Sequence, residues 1–200
     1  MKICKVEGCG KKHDARGYCS KHYFQMMNHG RIFNRNKFDL NEIIVHEDYA
    51  EIVLYKGRGE QVEAARTKID LEDVEIVKGI KWRTMKNGDR VYAINNKMGL
   101  LHRVIMKAGE GNDVDHINHD CLDNRKENLR ICSRQENMMN MKGAKGYYFY
   151  KRDKKWIVRI QANGKNIIVG RFHTEEEAKR ARRGAEIMYF GEFRYKKRPN

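Results

Sequence analysis

Four metal-ligating side chains stand within the first 22 residues, spaced Cys4-x4-Cys9-x9-Cys19-x2-His22 in the segment CKVEGCGKKHDARGYCSKH. That spacing limits the N-terminal block to a fold built around those four side chains. A small structural zinc site needs soft or imidazole ligands delivered by two tight turns, and this arrangement supplies them. Gly8 and Gly10 flank Cys9, where a ligand-bearing knuckle needs a permissive backbone. His13 is a second candidate imidazole, but the close Cys19/His22 pair favours His22. The bland alternative is a set of ordinary thiols.

Composition bounds the rest. Two hundred residues suit one to three small domains rather than one large core. The 42 Lys+Arg against 27 Asp+Glu leave a net charge of +15, which asks for a polyanionic partner. Nucleic acid is the first candidate and an anionic membrane surface the second. No apolar run of transmembrane length and no signal-peptide h-region is present, so the membrane reading is the weaker. Five cysteines, three of them beside a histidine near the N-terminus, fit a reduced cytoplasmic setting and metal rather than disulfides. The expectation is a soluble cytoplasmic protein facing double-stranded DNA, with no membrane partner.

The fold class expected is α+β, in small modules. Residues 1–37 form the zinc knuckle and a basic tail, HGRIFNRNK, suited to lie along phosphates or to serve as a solvated connector. Residues 40–98 read as a strand-rich scaffold. Apolar alternation there breaks at Glu47-Asp48 and at Lys56-Gly57-Arg58-Gly59. Asp70 reads as the N-cap of a short helix that offers Leu71, Val74, Ile76 and Val77 for burial. Asn87-Gly88 between two β-rich runs signals a hairpin. No chemical signature marks these strands, and no site is expected on them. Residues 99–142 hold a short helix (LLHRVIMKAG) and a polar stretch, VDHINHDCLDNRKENLR. Residues 143–200 hold three strand runs, Tyr147–Tyr150, Trp156–Gln161 and Asn166–Val169, then a helix that Thr174 and Glu177 open as a capping box. Ala178, Ala181, Ala185 and Met188 form the inner face expected of that helix. Trp156, Val158 and Ile160 share one face of the middle strand. The opposite face carries Lys145, Tyr148, Arg159, Gln161 and Asn166, with Arg152 in the connecting loop. Such a basic, hydrogen-bonding surface can enter a DNA major groove; its bland reading is a solvated face.

This last block resembles the DNA-binding domain of plant ethylene-response factors, which also occurs in phage endonucleases. The matching residues are Gly146, Trp156, Ile160, Gly170, Phe172, Thr174, Glu176, Ala178, Ala181 and Phe190-Gly191-Glu192. The resemblance implies double-stranded DNA bound through the sheet. It departs at FRYKKRPN, where the family pattern usually continues with Asn, and some base-reading arginines of the plant domains are lacking.

The polar stretch reads as two strands, ending in Val114-Asp115-His116 and beginning at Asn128-Leu129-Arg130, followed by a helix that Ser133 and Glu136 box. A hairpin packed on a helix can bring Asp115 near Asn137, two hard oxygen donors suited to Mg²⁺ or Mn²⁺. His116 has a pKa suited to deprotonating a water. Neighbouring strand residues face opposite ways, so the strand must end or twist at His116 for both to serve one phosphate. The set resembles the HNH, or ββα-metal, endonuclease motif through Leu101–Arg103, Val114–His116, Leu122–Arg125, Asn128–Arg130 and Asn137. The resemblance implies His116 as general base, Asp115 and Asn137 as ligands of the catalytic Mg²⁺ or Mn²⁺, and Asn128 bracing the loop that holds His116. His119 is an alternative base or ligand. His102 reads more simply as a buried histidine, and Cys121 and Cys132 as packing residues.

Taken together the expectation is a free-standing, phage-type homing endonuclease, a phosphodiester hydrolase leaving 5′-phosphate and 3′-hydroxyl ends. Without a coiled-coil or other dimer signal, a nicking monomer is expected over a dimer. The rival is a DNA-binding regulator that keeps the nuclease frame without turnover. An RNA-binding role gains little, because no base-stacking platform of aromatics is present.

Overall fold

The computed structural model describes residues 2–33, 35, 39–57, 61–141 and 145–195. At the N-terminus two isolated bridges, Ile3↔Lys12 and Ala15↔Tyr18, turn the chain back on itself twice before α1 (Ser20–His29). Gly30 ends α1 in the left-handed conformation (φ 69°), its N–H donating to the Met26 carbonyl. Residues 34, 36 and 37 of the basic tail lie outside the described residues.

The scaffold is one six-stranded sheet of β1 (Ile43–Val45), β2 (Ala50–Lys56), β3 (Val62–Ile69), β4 (Arg83–Asn87), β5 (Arg90–Asn95) and β6 (Gly99–Leu100). β3 runs antiparallel along one side of β2, and β1 and β4 pair along it elsewhere. The expected hairpin forms, with Asn87 opposite Arg90. Asp70 does not cap the helix it precedes. The chain there makes a 3₁₀ turn (Leu71–Asp73) and the single turn α2 (Val74–Val77), and the Asp70 carboxylate instead accepts from the Lys126 N–H at 2.7 Å. A competing backbone donor from the loop at residues 117–128 has taken the carboxylate, and Leu71 is left exposed. The element α3 (Leu101–Ile105) buries Leu101 and Ile105 in a core that also holds Ile52, Leu54, Ile69, Trp82, Val114 and Leu129. One apolar core thus runs from the scaffold into the next hairpin, across residues 98–99.

That hairpin is β7 (Asp113–His116) and β8 (Leu129–Cys132), antiparallel, with His116 opposite Leu129. The strand ends at His116, as the placing of two neighbouring side chains in one site demands. α4 (Arg134–Met139) follows under a complete capping box from Ser133 and Glu136. The long loop between the strands is stitched to β3: Lys68 N–H donates to Leu122 O at 2.8 Å and Asn124 N–H to Lys68 O at 2.9 Å.

The C-terminal sheet is β9 (Tyr147–Tyr150), β10 (Lys155–Ala162) and β11 (Lys165–Phe172), a meander in the order β11-β10-β9, covered on one face by α5 (Glu175–Phe190). Thr174 and Glu177 form the expected box. Ala178 and Ala185 pack inward, but Met188 is 77% exposed. The buried positions of the inner stripe are Ala178, Arg182, Ala185 and Phe190, and a second step of three, after Arg182 to Ala185, turns Met188 away from the side they share. Arg182 explains one glycine: a Cβ on Gly146 would lie 2.3 Å from its guanidinium, which donates to the Arg159 carbonyl and, at 2.7 Å, to Glu186.

Candidate functional site

Two clusters of chemistry-bearing side chains emerge, and they are built differently. In the N-terminal cluster the ligand atoms of Cys4, Cys9, Cys19 and His22 all lie within 4.8 Å of one another. Cys9 and Cys19 sulfurs are 3.8 Å apart, and Cys4 Sγ is 3.3 Å from His22 Nδ1. A zinc ion 2.3 Å from each sulfur sets tetrahedral neighbours about 3.8 Å apart, so the donor set fits that ion. Cys4, Cys19 and His22 are buried. Hydrogen bonds from His22 and the backbone outweigh burial, which alone would raise the Cys4 pKa, and bring it down to about 6. Among the described residues no other group of three or more Cys, His, Asp or Glu converges in this way. Cys121 and Cys132 are buried singly, and burial pushes Cys132 up to about 11.

The second cluster lines a cleft of about 430 Å³ between the β4–β5 hairpin, β7, the loop after it and α4. Asp115, His116 and Asn137 all line it. Asp115 and Asn137, the pair expected to share an ion, bond to different partners within the cleft. Asn137 Nδ2 donates to Asp113 at 3.0 Å, and Asn140 Nδ2 donates to the two Asp115 oxygens at 3.1 and 2.9 Å. The reason is periodicity. Asp113 and Asp115 are two apart on a strand, and Asn137 on α4 and Asn140 at its C-cap are three apart, so each pair presents one face. The two amides match the two carboxylates in step. Asp115 also accepts from Arg130 Nε at 2.9 Å and Nη2 at 2.6 Å. Arg130 in turn donates to the Glu192 carbonyl at 2.7 Å and lies over the Phe193 ring, tying the cleft to the C-terminal block.

His116 is buried, and burial lowers its pKa against the opposing influence of Asn124 and Asp115. The ring is therefore neutral at neutral pH. Its Nε2 lies 3.1 Å from Asn124 Oδ1. His102 is more than the isolated buried histidine of the sequence reading. Its ring stands edge-on 4.9 Å from that of His116, and burial with His116 beside it brings its pKa down to about 3. His119 also lines the cleft, with φ 64° and its ring against Tyr195. Asn128 accepts from the Asn118 N–H at 2.9 Å and donates to the Asp123 carbonyl at 2.7 Å, bridging both halves of the loop.

Several residues of this site have no counterpart in the sequence reading. Met85, Asn87, Arg90 and Tyr92 come from the hairpin on which no site was expected, yet they line the cleft with Asp115 and His116. Nothing in their local sequence marks them, because the sheet pairing that delivers them is long-range. Asn124, Arg130 and Asn140 were visible inside LDNR, NLR and the helical pattern, but not as contacts.

On the C-terminal sheet, Lys145, Tyr148, Arg152, Arg159, Gln161 and Asn166 are all exposed. Arg159 lies 5.4 Å over the Tyr148 ring, and Gln161 faces Asn166 across the β10–β11 register. Arg152 engages Asp153 at 3.3 Å. Ile157, which strand alternation puts on the same side as Arg159, is buried.

The family of HNH endonucleases matches residues 100–139, the stretch from β6 to the end of α4 that contains Asp115, His116, Asn128 and Asn137. The match supports a nuclease of the HNH type, a metal-dependent class whose substrate is nucleic acid. No curated protein and no solved structure matches the chain. No helix among the described residues is long and apolar enough to cross a membrane.

Proposed function

We propose that the chain is a metal-dependent endonuclease of double-stranded DNA, of the free-standing homing type found in phages. The observation that carries this reading is the convergence of Asp115, His116 and Asn137 on one cleft at the end of β7. His116, kept neutral by burial, is the general base that takes a proton from water. Asp115 and Asn137 are the ligands of Mg²⁺ or Mn²⁺. The donor set fits such an ion, since Asp113 and Asp115 offer carboxylate oxygens, and Asn137 and Asn140, whose Nδ2 groups donate to them, each keep an amide oxygen as a hard donor. Bound there, the ion supplies Lewis-acid stabilisation of the charged phosphorane and the leaving 3′ oxygen. Asn128 holds the loop so that His116 keeps its place at the strand end. Arg90 and Arg134, exposed at the cleft, offer cations to the phosphates on either side of the cut.

Duplex binding in this reading falls to the basic face of the C-terminal sheet, through Lys145, Tyr148, Arg152, Arg159, Gln161 and Asn166. The zinc knuckle of Cys4, Cys9, Cys19 and His22 makes a second grip. One cleft per chain points to a monomer that nicks in the cytoplasm of a bacterial host. Relaxation of supercoiled plasmid in Mg²⁺ or Mn²⁺ tests the proposal: cleavage by the wild type, abolished in His116→Ala with duplex binding kept, is the expected result. A clean wild type that binds duplex and never cuts, under either metal, favours the regulator. Binding should weaken by orders of magnitude over a few-fold rise in salt, and further with Arg159→Ala.

A further inference from the structure

We infer that Thr67 and Asn124 are positioning residues that fix His116 as its Nε2–H tautomer, leaving Nδ1 as the nitrogen that accepts a proton. The inference rests on the nuclease reading for what His116 does, but not for how it is held. Three hydrogen bonds carry it. The Thr67 hydroxyl donates to the Leu122 carbonyl at 2.8 Å, an atom that can only accept. With its single proton committed there, Thr67 Oγ1 must accept from its other neighbour, the Asn124 side chain at 2.6 Å. The NH₂ end of Asn124 therefore faces Thr67, and its Oδ1 faces His116 Nε2 at 3.1 Å. An amide oxygen only accepts, so the hydrogen sits on Nε2 and the lone pair on Nδ1.

The opposite tautomer needs the Asn124 amide turned round. Thr67 would then donate to Asn124 Oδ1, and its oxygen would face the Leu122 carbonyl at 2.8 Å with no proton between them. Thr67 and Asn124 are both fully buried, so no bulk water relieves that clash of acceptors. The spacing is set by main chain as well, because Lys68 exchanges backbone bonds with Leu122 and with Asn124 itself. Neither Thr67 nor Asn124 lines the cleft, so they act on substrate only through His116.

The test uses the full zinc-loaded chain with ¹⁵N-labelled histidine, read above the titration of the ring. Long-range ¹⁵N–¹H correlations should show the Nε2–H pattern for His116 in the wild type. Thr67→Val keeps the shape but frees the amide to turn. It should mix the tautomers and lower kcat on a cut duplex about tenfold, with KM and Mn²⁺ affinity unchanged. Thr67→Ser restores the hydroxyl and should rescue both readouts. An Nδ1–H pattern in the wild type overturns the inference, even if Thr67→Val does not fold. So does a Thr67→Val protein with one pure tautomer and kcat within twofold of wild type, or a Thr67→Ser protein as impaired as Thr67→Val. A wild type that cuts no duplex sinks the nuclease reading, while the tautomer pattern still decides this one.

Discussion

The N-terminal cluster and the central cleft both gather side chains able to bind metal, but only the first is a local structure. Cys4, Cys9, Cys19 and His22 come from one short stretch, and their atoms meet with little help from the rest of the chain. In the cleft, by contrast, Asp115 answers to Arg130 and Asn140, and His116 answers to Asn124 and through it to Thr67 on β3. A structural metal site can be specified by spacing within a loop, because the ion itself supplies the folding energy. A site that must keep a base and ligands in fixed relation draws its support from whatever long-range packing brings close. The difference predicts that damage to the first cluster stays local and is metal-dependent, whereas damage to the second spreads through the core.

The largest effect should follow Cys4→Ser. Zinc binding is worth roughly 10 kcal/mol or more in small zinc domains. The variant should lose its equivalent of zinc by metal analysis and its protection from proteolysis in residues 2–33, while Mn²⁺ titration of the central site is unchanged. A Cys4→Ser protein that also loses Mn²⁺ binding would show the two regions to be coupled, and the comparison would fail.

His116→Ala comes next. Loss of a general base removes about 10²–10⁴ in rate, so plasmid cleavage should fall by about a thousandfold, with duplex affinity within a few-fold of wild type. Equal loss of binding and cleavage would instead mark His116 as a packing residue of the shared core.

The same contrast explains what the amino-acid order disclosed. The knuckle, both capping boxes, the hairpin at Asn87-Gly88 and the end of β7 at His116 are encoded within a few residues, and each is found where the sequence puts it. Asp70 was misplaced because a donor far along the chain, the Lys126 N–H, takes its carboxylate. Met188 was misplaced because repeated steps of three fall short of full helical turns and rotate it off the buried stripe. Thr67, Arg90 and Tyr92 left no trace, since β-strand residues acquire neighbours by register, and register across β3, β2, β4 and β5 is a property of the whole sheet. Asn140 stands one turn beyond Asn137, and its contact with Asp115 shows only once the two carboxylates are seen paired with the two amides.

Arg130→Ala sharpens the comparison by removing a support without touching a candidate ligand or the base. The buried Asp115 carboxylate loses its cation, and uncovering one member of a buried pair costs on the order of 3 kcal/mol. Chemical denaturation should record that loss in metal-free buffer. Mn²⁺ should then restore more stability to Arg130→Ala than it adds to wild type, because a bound cation replaces the missing one at Asp115. Equal gains from Mn²⁺ in both proteins would mean that Asp115 is held for packing rather than for metal.

His102 gives the smallest effect, and it reads the dryness of the cleft wall directly. Its pKa falls from the ordinary histidine value to about 3 in the folded chain, through burial and the neighbouring His116 ring. Between those values the unfolded chain takes up a proton that the folded one refuses, so stability declines as pH falls below the usual histidine range, by about 1.4 kcal/mol per unit from this group alone. From pH 6.5 to 5.0 the wild type should therefore lose about 2 kcal/mol more than His102→Gln, measured as the shift in urea midpoint with m unchanged. Zinc release in acid affects both proteins alike and cancels in the difference. Parallel pH profiles would place His102 in contact with water, and the cleft wall that keeps His116 neutral would have to be wetter than its burial implies.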